Sequence, residues 1–304
     1  MLRPLPHRGD VVAAGAVALA AVVALLQLRF NDVWGEGVHL VYSAAAVAFV
    51  GAMALQAPRE GPEPRAYQSA LLATTFALAI PALTRLAQAL GSEGLDSSGT
   101  LAWVGGLLAG LGFALASVRG SAVCLLLGAV SLVIALVGLI DWAFSPDGVT
   151  AFRWLLATLA AIFALATVGL RDSSSPRAVA VADAGGLAAL ALGLTFVIDQ
   201  VVTVDAFGPG AGAGWELFLY ACGFGLCAYS AVDRVPGPGW IGVAVLVVTT
   251  VAAAGGKSTL IGWPLVLGAG AAALLVVGLR PSRPLPPAPS RGEAAQVFEI
   301  RDER

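Results

Sequence analysis

The sequence predicts an all-α, polytopic integral membrane protein, and three observations carry that prediction. Charged residues make up 12% of the 304-residue chain and hydrophobic residues 58%, whereas a soluble domain carries about 25% charged residues. Mean hydropathy is +0.86. The apolar residues gather into ten stretches of about 20 residues, the length that crosses about 30 Å of hydrocarbon at a rise of 1.5 Å per residue. The loops between them are too short to hold a soluble domain.

The spans read from the sequence are 11–28, 37–57, 66–90, 99–118, 121–144, 149–170, 178–203, 215–232, 238–256 and 258–279. Arg3, His7 and Arg8 ahead of the first span resemble the basic start of a secretory signal. The run is too long for one, however, and ends in Arg29-Phe30-Asn31-Asp32 instead of a small-residue cleavage site, so it is expected to remain as a helix. The second span opens with Glu36, His39 and Ser43 on one side, and the third aligns Thr74, Pro81, Arg85 and Gln88. Pro81 lacks the N–H that would bond the carbonyl of Ala77. The fourth carries Gly105, Gly106, Gly110 and Gly112, small residues that let neighbouring backbones approach. Spans five and seven bring Asp141 and Asp199 to one side of the membrane, and Asp183 lies in the other half of span seven. The eighth span aligns Glu216, Tyr220, Gly223, Cys227 and Ser230.

Arginine placement sets the expected orientation. On the N-terminal side lie Arg3, Arg8, Arg59, Arg65, Arg119, Arg171, Arg177 and Arg234, joined by Arg280, Arg283, Arg291, Arg301 and Arg304 of the tail. The opposite side has Arg29, Arg85, Arg153 and Lys257. Basic residues concentrate in cytoplasmic loops, so both termini are expected in the cytoplasm. Trp34, Trp103, Trp142, Trp154, Trp215 and Trp263 fall at the outer ends and Trp240 at an inner one, in phase with a single bilayer. Sixteen arginines against one lysine, with abundant Ala and Gly, point to a GC-rich bacterial genome and so to the bacterial cytoplasmic membrane.

The organisation that follows is a cytoplasmic N-terminus (1–10), a ten-helix bundle of consecutive hairpins (11–279) and a proline-rich cytoplasmic tail (280–304) expected to be disordered. Leu139-Ile140-Asp141 to Asp147 is echoed by Val197-Ile198-Asp199 to Asp205, an offset of 58 residues. Cys124, Cys222 and Cys227 sit in apolar runs and read as packing residues with no disulfide framework.

The candidate solute-binding residues are Arg85, Thr74, Gln88, Asp141, Asp199, Glu36, His39, Glu216 and Tyr220. Ionisable groups on one stripe of a membrane helix face the bundle interior, and Arg85 is expected to meet Asp141 or Asp199. The competing reading has Arg85 snorkel to the headgroups and Pro81 merely bend the helix. Glu36 and His39 have the Glu-x-x-His spacing of di-metal bundles, but the further ligands such a centre needs are missing, and no metal or cofactor is expected. Gly255-Gly256-Lys257-Ser258-Thr259 imitates the end of a phosphate loop without the strand or first glycine that loop requires.

In size, helix number and short loops the layout resembles the drug/metabolite transporter superfamily, in which ten helices surround a solute path, although none of its sequence patterns is present. The resemblance implies a transporter or permease of a small organic solute working without ATP. The alternative is a non-catalytic membrane subunit or assembly factor that meets a partner membrane protein through its tail or its Gly-rich helix faces. A membrane-embedded lipid-processing enzyme is the third reading. The bilayer is the expected partner in every case, and nothing points to nucleic acid. With the native cysteines removed, cysteines introduced at Ser97 and Gly210 should label from outside intact cells, and those at Ser174 and Ser290 should not. The reverse pattern would invert the topology.

Overall fold

The computed structural model describes residues 9–31, 33–58, 64–173, 175–202, 211–255, 268–270 and 272, with 200–202, 254 and 255 described by backbone alone. Nine long helices are found among them: α1 Gly9–Arg29, α2 Glu36–Gln56, α3 Ala66–Ala89, α4 Ser98–Arg119, α5 Ala122–Phe144, α6 Thr150–Leu170, α7 Ser175–Val202, α8 Ala213–Asp233 and α9 Pro236–Gly255. Every one is long and apolar enough to cross a membrane, and each bound lies within three residues of the span expected from sequence. The chain is an all-α, multi-pass membrane protein. The tenth span, 258–279, lies outside the described residues except at 268–270 and 272, which are helical.

Local chemistry explains where the helices stop. Ser121 caps α5 by accepting the N–H of Cys124 at 3.3 Å. Gly120, at φ 68°, ends α4 in the left-handed conformation that glycine adopts without cost, so the chain reverses into α5 within two residues. Pro236 opens α9, a position where the missing N–H would have had no helical partner. By contrast α3 runs unbroken through Pro81.

Consecutive helices pair as antiparallel hairpins, α2 with α3, α4 with α5, α6 with α7 and α8 with α9. Two helices hold the hairpins together. α3 packs against α1, α2, α4 and α5, and α7 against α5, α6, α8 and α9. Their spans are also the most buried, 50% and 56%. One core gathers around Leu71, Leu72 and Val50, and another around Leu192, Leu219 and Val245. Ala129, Leu159, Phe163, Val181 and Ala184 connect α5, α6 and α7 between them.

The closest hairpin is α4 with α5, and glycine makes it so. A Cβ on Gly112 would lie 2.5 Å from Cα of Gly128, and one on Gly138 would lie 2.7 Å from the backbone nitrogen of Ala102. Gly106 and Gly110 point the other way, where a Cβ would meet nothing within 4 Å. The glycines of α4 therefore divide into a packing face and an open face. Gly112→Ala should lower stability in detergent by about 1–3 kcal/mol through overpacking, whereas Gly110→Ala should change it by less than about 0.5 kcal/mol. Thermal unfolding of the two purified variants separates the faces.

Candidate functional site

Arg85, one turn from the end of α3, is 8% exposed and sits in a polar cluster built by three helices. Its Nη1 donates to Glu36 Oε2 at 2.9 Å and to Gln88 Oε1 at 3.0 Å, Nη2 donates to Asn31 Oδ1 at 2.8 Å, and Nε to Gln27 Oε1 at 3.3 Å. The expected inward orientation is present, but the expected partner is not. α2 is the hairpin partner of α3, so Glu36 in the first turn of α2 reaches Arg85, while Asp141 on α5 is exposed and Asp199 on α7 is paired elsewhere. A guanidinium held in a low-dielectric site needs such acceptors, because an unpaired buried charge costs several kcal/mol.

His39 turns away from Glu36. Its ring is fully buried, with Nε2 3.2 Å from the carbonyl of Phe30 and Nδ1 2.7 Å from the hydroxyl of Tyr42. A carbonyl only accepts, so the neutral tautomer that satisfies both contacts protonates Nε2 and receives the Tyr42 proton at Nδ1. Neither nitrogen is left for a metal. Phe30 stacks on Trp34 at 4.5 Å, and Trp34 lies 5.9 Å from His39 and 6.0 Å from Tyr42, forming an aromatic group at the same end of α1 and α2.

Three other arginines join helix ends. Arg153 at the start of α6 bonds Asp199 on α7 at 2.9 Å and Thr195 Oγ1 at 3.1 Å, with its guanidinium 3.9 Å over the ring of Phe196. On the other side of the bundle, Arg119 at the end of α4 donates to the carbonyls of Ala54 and Ala57 at the end of α2. Arg171, just past α6, bonds Asp233 at the end of α8 at 2.5 Å.

The remaining candidates do not converge on Arg85. Thr74 lies three turns away on α3 and returns its hydroxyl to the carbonyl of Ala70 at 2.8 Å. Glu216 and Tyr220 are 0% and 1% exposed on α8, in a separate part of the bundle. The stripe that continues from them is a packing seam against α9. A Cβ on Gly242 would lie 2.7 Å from the carbonyl oxygen of Gly223 and 2.9 Å from Cys227 Sγ, and one on Gly239 would lie 2.5 Å from Ser230 Oγ. Asp183 rests against the start of α9, where a Cβ on Gly237 would come within 3.0 Å of its carboxylate. That is the positive end of a helix dipole.

Among the cavities that the described residues form are two of about 590 Å³ each that open on the surface. One lies between the ends of α4 and α5 and is lined by Thr100, Trp103, Gly106, Leu139 and Trp142 among others. The other is a groove between α6 and α8 with α7 as its floor, lined chiefly by alanine, glycine and aliphatic side chains. Compared with protein-family models, curated proteins and solved structures, the chain finds no match in any of the three.

Gln27, Asn31, Arg153 and Thr195 were missed as members of these clusters. Gln27 and Asn31 are four residues apart at the end of α1, a spacing that could have marked a shared face. Arg85→Ala should destabilise the purified protein by about 2–4 kcal/mol, because it strips a buried cation from Glu36 and three amides. Adding Glu36→Gln to that variant should recover part of the loss in a double-mutant cycle. A neutral Arg85→Ala would mean that the side chain is held at the headgroups without contributing to the fold.

Proposed function

We propose that this chain is a non-catalytic membrane subunit or assembly factor that holds a partner membrane protein against the open face of α4. The observation that carries this reading is the line of Gly106, Gly110 and Ala114, exposed at intervals of four residues and continuous with the apolar cavity at Trp103 and Trp142. Small residues spaced in this way allow a second helix to approach closely within lipid, where packing and not hydrophobicity drives association. The cavity offers a recess for a large side chain of that helix.

The transporter reading rests on the helix layout and took its main residue-level support from Arg85 as an anchor for a solute. Every nitrogen of its guanidinium already donates to a protein side chain, from Gln27 and Asn31 through Glu36 to Gln88. Those bonds support a role in joining helices. The bacterial cytoplasmic membrane, with both termini inside, remains the setting proposed from the arginine distribution.

A photo-crosslinking amino acid placed in living cells at Gly110 or Ala114 should give one discrete heavier product. The same group at Val41 on α2, 69% exposed on the surface of the bundle, should give none. Gly106→Leu should abolish the product from Ala114 while leaving the purified protein folded. Equal products at all three positions, or none, would overturn the proposal. A small solute that raises the melting temperature of the native chain but not of Arg85→Ala would restore the transporter reading.

A further inference from the structure

The groove between α6 and α8 has two closed ends. On one side of the membrane Trp154 of α6 meets Trp215 of α8, ring centroids 4.8 Å apart, with Phe196 of α7 5.9 Å from Trp215. On the other, Arg171 and Asp233 bridge the ends of the same two helices at 2.5 Å. Between these closures the walls part. Ala160, Ala164 and Val168 line one wall, Phe218, Gly225 and Tyr229 the other, and Ala182, Gly185 and Gly186 form the floor.

The length of this opening decides what fits it. Ala160 to Val168 spans about 12 Å at 1.5 Å per residue in the half of α6 nearer Arg171, close to the roughly 15 Å of hydrocarbon in one leaflet, and on α8 the lining from Tyr229 continues past the helix midpoint to Phe218. A transmembrane helix would run on into the other leaflet and strike the Trp154 and Trp215 rings. An acyl chain ends at the midplane. At this end Arg171 is half exposed with Nη2 on Asp233 and Asp172 beside it, and the exposed Arg234 follows Asp233 at the end of α8, so a phosphate would meet two guanidinium groups partly offset by two carboxylates. Tyr229 lines the same end.

We propose that this groove binds one acyl chain of a phospholipid from the leaflet on the Arg171 side, with the phosphate at Arg171 and Arg234. The site shares no lining residue with the cavity at α4, so it stands or falls separately from the partner-helix reading.

The test uses the full chain purified into nanodiscs containing a phospholipid with a photoactivatable acyl chain. Crosslinked peptides should fall within 160–168 and 218–229. Gly225→Trp and Ala164→Trp fill the groove from opposite walls, and at Gly225 a Cβ would meet nothing within 4 Å, so the new side chain starts in open space. Each should reduce groove crosslinking about tenfold, the effect of displacing roughly two buried methylenes. Gly15→Trp on α1, equally open, should reduce it not at all. Arg171→Ala should weaken retention of the lipid during detergent washing about fivefold, the contribution of one surface arginine. Crosslinks spread evenly over the apolar surface, or groove crosslinks unchanged in both tryptophan variants that retain the native melting temperature, would overturn the proposal.

Discussion

A cation at the end of a membrane helix still needs acceptors where it enters the bundle, and that requirement organises this structure. Without a hydrophobic force between helices in lipid, the places where polar groups must meet become the places where helices are held in register. Arg85 joins α1, α2 and α3, Arg153 joins α6 and α7, Arg119 joins α4 to α2, and Arg171 joins α6 to α8. Each contact lies at a helix end, where the aliphatic stem can cross apolar surface while the guanidinium stays near water.

These contacts follow a pattern that the 58-residue echo does not describe. α1 to α4 and α5 to α8 have matching neighbours, with α3 central to the first set and α7 to the second. The second helix of each set is tied to the third at one side of the membrane and to the fourth at the other. Asp141 and Asp199, the carboxylates of the echo, occupy unlike places, one exposed and one paired with Arg153. The similarity resides in how helices meet, and short stretches of matching letters do not capture it.

Helix positions were legible in the sequence because an apolar run of membrane length has few alternatives, so nine described spans fell within three residues of expectation. The inward face of α3 was legible too, since Arg85 and Gln88 share a stripe. Its partner was not: choosing Glu36 over Asp141 requires knowing that α3 lies against α2 and not beside the exposed end of α5. The use of the α8 stripe was not legible either, for a different reason. Gly223, Cys227 and Ser230 could equally border a water-filled path or receive a second backbone, and Gly239 and Gly242 on α9 supply that backbone. Spacing identifies a face, whereas the neighbour decides its use.

The two ion pairs that join hairpins at the Trp154 side have opposite polarity. In the first, the acid begins α2 and the base ends α3; in the second, the base begins α6 and the acid ends α7. A nascent chain inserts these hairpins one after another, and α2 could in principle close on α7, or α6 on α3. The first error would bring Glu36 against Asp199 and the second Arg85 against Arg153, each a like-charge contact. Reversed polarity therefore favours the native hairpins over exchanged ones, a distinction that nearly uniform apolar helix surfaces do not make.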